Sequence, residues 1–188
     1  MCKFTRLVLL LTATLPISAY AVGGYTVDPG RSNVHFGIGH FWFTTHGRFD
    51  KISGKITLDM AAKKGAVDIS IEAASINTGI GLRDKNLRSP NFFDVAKFPN
   101  VIYQSSALIF TGDTPVSIQG NLTLLGVRKP VTLTVTAFKC GLQPANQKEV
   151  CNAAASTRIK RSDFGMVYAI PLVGDEIELA FEVEATKD

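Results

Sequence analysis

Apolar and polar residues alternate with a period of two along most of the chain, as they do in strands with one buried and one solvated face. Val67, Ile69, Ile71 and Ala73 alternate with Asp68, Ser70 and Glu72. Val131, Leu133, Val135 and Ala137 alternate with three threonines. Ile177, Leu179, Phe181 and Val183 are set among Glu176, Glu178, Glu182 and Glu184, with Ala180 the one small exception. Val116, Ile118, Leu122 and Leu124 repeat the pattern, as do Val34, Phe36 and Ile38. Together these runs predict eight strands, near 32–40, 47–58, 66–75, 100–110, 115–125, 128–139, 153–161 and 175–185. Short polar turns such as Ala62-Lys63-Lys64-Gly65 and Thr111-Gly112-Asp113 separate them, which argues for antiparallel neighbours.

The alternation stops between Asn77 and Phe98. Leu82 and Leu87 stand near helical spacing there, and Asp84 and Arg88 form an i,i+4 pair. One or two short helices are therefore expected between the third and fourth strands. Eight antiparallel strands with one apolar face can build a sandwich or a closed barrel, and closure removes the exposed edges. A transmembrane barrel is disfavoured, because the strand flanks lack aromatic girdles and the helical insertion would interrupt the lipid face.

Residues 1–21 read as a cleavable export signal: Lys3 and Arg6, an apolar run from Leu7 to Ile17, then Ala19-Tyr20-Ala21. That run is too short to span a bilayer. The mature domain is then 22–188, and loss of the two basic residues takes the formal charge from +4 to +2. So small a balance, with no basic stripe, gives no footprint for nucleic acid. Export also leaves Cys140 and Cys151 in an oxidising compartment, where a disulfide across the polar loop between them is expected.

Several segments are specific enough to resemble a known family. His40-Phe41, then His46-Gly47-Arg48-Phe49 and Ile52-Ser53-Gly54-Lys55-Ile56, resemble a run typical of the YceI-like family. Tyr25-Thr26-Val27-Asp28 opens the matching region. Arg83-Asp84-Lys85-Asn86-Leu87-Arg88-Ser89, continuing through Phe92-Phe93-Asp94 to Phe98-Pro99, is similar to that family's most distinctive segment. Gly120 to Val127 with Lys129-Pro130-Val131 resembles its hairpin, and Arg161-Ser162-Asp163-Phe164-Gly165-Met166 its late loop. The resemblance implies an all-β, eight-stranded antiparallel, lipocalin-like barrel in the periplasm. It also implies that the barrel binds a polyisoprenoid, either a prenyl diphosphate or a long-tailed quinone. One position departs: the family's histidine after the Arg-Asp-x element is Asn86 here, which keeps a polar contact and cannot carry charge.

On this reading Val34, Phe36, Ile38, Ile69, Ile71, Tyr103, Ile118, Leu133, Val135, Leu179 and Phe181 line the interior. The competing reading is a barrel filled solid by the same residues. Arg83 and Arg88, with Lys85, offer donors to a diphosphate head group, and His40 and Asn86 offer polar contacts beside them. The bland reading of these cations is a solvated helix face, with Arg88 paired to Asp84.

His35, His40 and His46 make a poor metal site. The first two face opposite sides of a strand, and His40 and His46 would be roughly 20 Å apart on an unbroken one. Phe41, Trp42 and Phe43 either form a rim where lipid enters or pack against the short helices, and general burial trends favour packing. No nucleophile elbow or phosphate-binding glycine loop is present. The expectation is thus a carrier without metal or catalytic cofactor, its ligand being the lipid. A stress-related structural or interaction protein with a filled barrel is the alternative, and a lipid-modifying enzyme using Asp28 or Asp84 is a weaker one. A homodimer is left open by the sequence.

Overall fold

The computed structural model describes residues 22–145 and 147–188, so the expected export signal lies outside the described residues. Its strands are β1 (Gly23–Val27), β2 (Asn33–His40), β3 (Phe43–Phe49), β4 (Ile52–Asp59), β5 (Lys64–Glu72) and β6 (Ile76–Asn77). After a helix, α1 (Gly81–Leu87), come β7 (Asn100–Thr111), β8 (Thr114–Leu124), β9 (Val127–Leu142), β10 (Glu149–Lys160) and β11 (Val173–Lys187).

These segments form eight staves, because three staves are broken. β1 and β2 run end to end along β11, with Val27 opposite Ala185 and Val34 opposite Phe181. β3 and β4 form the next stave, interrupted at Asp50 and Lys51, and β5 and β6 the third, interrupted by a 3-10 turn at Ala73–Ser75. Every pairing is antiparallel, each stave beside the next in the chain, and β1 pairs with both β4 and β11. The sheet is therefore a closed up-and-down barrel of eight staves, as the alternation and the resemblance led one to expect.

The sequence-based strand near 47–58 is split into β3 and β4, and the short β1 was not anticipated as a strand. Gly23 and Gly24 supply no side chains, so five residues carry only two apolar positions of the right parity, Tyr25 and Val27. The helical insertion yields one helix. Residues 89–98 follow it as successive tight turns, with Phe92 N donating to Ser89 O and Phe98 N to Asp94 O. Leu82 and Leu87 do not share a face of α1. Five residues correspond to about 140° around a helix, so Leu87 packs inward while Leu82 points to solvent.

The two ends of the barrel differ. One carries the β4–β5 and β7–β8 turns and the loop bridged by the Cys140–Cys151 disulfide, whose cysteines sit opposite each other on β9 and β10. At the other end are the β2–β3 turn, α1, the β8–β9 turn and the segment 161–172. The outer face is charged and carries the ion pairs Lys51–Glu72, Lys187–Glu149 and Arg158–Glu178. Among the described residues no helix is long and apolar enough to cross a membrane.

Candidate ligand cavity

The inward positions do not fill the barrel evenly. Towards the disulfide end Ile69, Tyr103 and Leu133 pack into a solid layer, and the Tyr103 hydroxyl lies 3.0 Å from the carbonyls of both Ile118 and Val131. Burial pushes the Tyr103 phenol up to about 12. Beyond that layer Ile118 and Val135 border a void of only about 60 Å³.

Towards the α1 end the packing opens into an apolar cavity of about 240 Å³. Val34, Phe36, Ile38, Ile71, Leu179 and Phe181 line it, so six of the eleven expected lining residues meet there and five do not. The difference lies in what stands across the barrel. Ile69 and Ile71 share a face of β5, yet only Ile71 reaches the open half. Residues not anticipated from the sequence complete the wall, including Phe49, Leu87, Phe92, Phe93, Met166 and Val173. Aromatic rings step along one side, with Phe36 and Phe49 centroids 5.8 Å apart and Phe49 and Phe93 5.5 Å apart. Gly47 makes room for Phe36, since a Cβ there would lie 2.4 Å from the ring.

The polar candidates separate in the same way. His40, Arg83 and Asn86 line the cavity and, with Thr45, are its partly exposed or exposed polar border, so they mark its mouth. Arg83 is held from below. Its Nε donates to Thr78 Oγ1 at 2.8 Å and its Nη2 to Thr78 O at 3.0 Å. The Thr78 hydroxyl in turn donates to the buried carboxylate of Asp84. Among the described residues nothing accepts from Arg83 Nη1, and no carboxylate pairs with this guanidinium. Arg88 faces away from the cavity and donates to Ala74 O and Ile76 O, both at 2.7 Å. The expected Asp84–Arg88 side-chain pair is therefore corrected: Thr78 lies closer to the carboxylate, and two carbonyls between β5 and α1 take the guanidinium.

His40 faces the mouth, whereas His35 and His46 lie exposed on the outside of the barrel. The three imidazoles do not converge. The one three-donor group of metal-ligating type among the described residues is Cys140, Glu149 and Cys151, and its two sulfurs are bonded to each other. Phe41, Trp42 and Phe43 do not pack against the helix as expected. They form the exposed tip of the β2–β3 hairpin, where the rings of Phe41 and Phe43 stand edge-on to His40.

Arg161 escaped the sequence reading as a cavity residue. It is only 1% exposed, lines the cavity, and donates to four carbonyls, those of Met166, Tyr168, Val173 and Gly174, at 2.8–3.0 Å. Burial lowers its pKa, an effect partly offset by nearby Asp175. The side chain ties the segment 161–174 across the end of the barrel, and that segment supplies Met166 and Val173 to the cavity wall. An arginine beside a serine and an aspartate gives no hint of this, because the four acceptors converge only once the segment folds back.

Comparison with known proteins agrees with this architecture. A family model described as the YceI-like domain matches residues 25–185. Protein YceI of Salmonella arizonae is 33% identical over 188 residues, covering 98% of this chain and 95% of its own. Burkholderia cenocepacia BcnA superimposes with a TM-score of 0.70 at 26% identity, over 85% of this chain and 99% of its own. A polyisoprenoid binding domain from Saccharophagus degradans, implicated in plant cell wall breakdown, shares the fold at a TM-score of 0.64 and 19% identity, over 87% and 98% of the two chains. The family match runs from β1 into the last residues of β11 and so spans the whole barrel, and this chain belongs to the YceI-like family.

Proposed function

We propose that this protein is a periplasmic carrier that holds a polyisoprenoid by its apolar tail in the cavity, with Arg83, Asn86 and His40 facing the polar head. The observation that carries this reading is an apolar cavity that opens at a mouth bordered by a guanidinium that meets no carboxylate among the described residues. An apolar cavity of about 150 Å³ suffices for a benzene ring, so by the same scale the cavity of about 240 Å³ takes roughly ten carbons, or two prenyl units. Burying ten carbons contributes about 8 kcal/mol at about 0.8 per CH₂. Association costs on the order of 4–15 kcal/mol. The tail alone is thus near break-even, and the head contacts at the mouth decide whether binding is tight. A longer tail extends through the mouth.

The reading draws on the segment 1–21 that reads as an export signal, and on a neighbour of the same fold that is described as polyisoprenoid-binding. The carboxylates considered for an enzyme, Asp28 and Asp84, do not line the cavity. Asp28 accepts from Gly30 N in a surface turn, and Asp84 is engaged by Thr78. The test is organic extraction of the purified protein followed by mass spectrometry. A prenyl lipid near one per chain is the expected result. A lipid-free protein that also fails to take up a prenyl diphosphate or a long-tailed quinone in vitro would favour the structural alternative.

A further inference from the structure

Three separate segments border the mouth, and each turns apolar side chains outward. The β2–β3 tip next to His40 presents Phe41, Trp42 and Phe43, with Trp42 95% exposed. The first turn of α1 next to Arg83 presents Leu82, 81% exposed. The segment between Met166 and Val173 presents Val167 and Leu172. Phe41 N donates to Leu172 O, which ties the first segment to the third. Single exposed apolar residues are ordinary, but such a concentration marks an interaction surface. The other end of the barrel exposes aliphatic residues such as Val22 and Leu142, whereas every strongly exposed aromatic ring among the described residues is at the mouth end.

Two further features point the same way. Phe41 has φ of 55°, a left-handed conformation suited to glycine or asparagine in a hairpin turn. An aromatic residue is kept there against its local preference, which displays Phe41 and Trp42 at the extreme tip. The same end is also basic. Lys85, Lys97, Arg128, Lys129 and Lys160 are exposed around it, against the exposed acids Asp163 and Glu176.

We propose that the mouth end docks on the surface of an anionic bilayer, the apolar rim entering the interface while the surrounding basic residues meet lipid phosphates. The tail then passes between membrane and cavity without crossing water. Charge selects the bilayer over a second copy of the chain, since mouth-to-mouth pairing would bring two basic ends together. The purpose of this docking rests on the carrier reading, but its test does not.

Trp42 is the chain's only tryptophan and reports directly on the rim. The mature protein is mixed with vesicles of phosphatidylethanolamine and phosphatidylglycerol, or of phosphatidylcholine alone. Trp42 emission and its quenching by brominated acyl chains are followed. A blue shift with quenching on the anionic vesicles, weakened by salt, is expected. A double variant, Phe41→Ser with Leu82→Ser, should bind them about tenfold less tightly. Both positions are exposed, so its thermal melt should match the parent. Unchanged emission and no co-sedimentation with anionic vesicles would overturn the proposal. So would a blue shift that grows with protein concentration in the absence of vesicles, which would assign the rim to a second copy. Docking by a protein from which no isoprenoid is extracted would sink the carrier reading and leave the docking surface standing.

Discussion

Replacing Arg161 with methionine removes one side chain and leaves four carbonyl acceptors, on Met166, Tyr168, Val173 and Gly174, without their donor. A hydrogen bond from a charged group contributes about 1.5–3 kcal/mol, and a buried acceptor left unsatisfied costs about 1–3. The four losses do not add fully, because Tyr168 is half exposed and its carbonyl can regain water. A net cost of about 3–5 kcal/mol follows, comparable to breaking a buried charged network. In a domain of this size that lowers the melting temperature by about 10 °C. Urea unfolding followed by circular dichroism, with the disulfide kept oxidised, measures the cost. Arg161→Lys should recover only part of it, since an ammonium is a point donor that cannot span four acceptors. Lipid affinity should fall as well, because the tethered segment carries Met166 and Val173 of the wall. A loss below about 1 kcal/mol for Arg161→Met would refute the claim that this guanidinium holds the segment in place.

The two arginines of the helix region should behave differently. Arg83→Ala should weaken binding of a prenyl diphosphate by at least about tenfold and of a neutral quinone hardly at all, whereas Arg88→Ala should lower stability without that preference; equal losses for both ligands on Arg83→Ala would reject the head-group contact. Gly47→Ala sets a Cβ against Phe36 and should drive that ring into the cavity, reducing lipid uptake at a stability cost of about 1–3 kcal/mol, as lipid titration and melting will report. The raised Tyr103 pKa means that the folded state holds its proton more tightly than the unfolded chain. This contribution to stability is full below about pH 10 and is lost as pH rises towards about 12. Tyr103→Phe should flatten that alkaline slope in unfolding titrations, and an unchanged slope would count against it.

The period-two pattern was sufficient to read antiparallel strands with one apolar face, because a half-buried strand must sort its side chains by parity wherever it sits; sandwich and barrel share that pattern, and the family resemblance chose the barrel. It placed most of the staves within a few residues, and it marked Val34, Phe36, Ile71 and Phe181 as inward-facing. It was blind to β1, where two glycines leave the parity unmarked, and to the breaks within three staves, since Asp50 and Lys51 read as one more pair of surface residues. Motif spacing brought Arg83 and Arg88 forward as equals, because both lie in one short basic segment.

Parity says which side of a sheet a residue faces, and nothing about what it meets there. Ile69 and Ile71 are indistinguishable by pattern, yet one packs under Tyr103 and the other borders open space, because the volume available to each is set by residues far away in the chain. The same holds for Arg161, whose four acceptors are brought together only by the returning segment, and for Phe41 to Phe43, whose exposure depends on what stands beside the hairpin tip. Alternation along the chain, a local property, thus determined the strands and their inward face, and the family resemblance the barrel they close into. Where the barrel is hollow, which arginine guards the opening and which apolar residues remain uncovered were decided by tertiary packing, because each depends on distances between segments that no local pattern encodes.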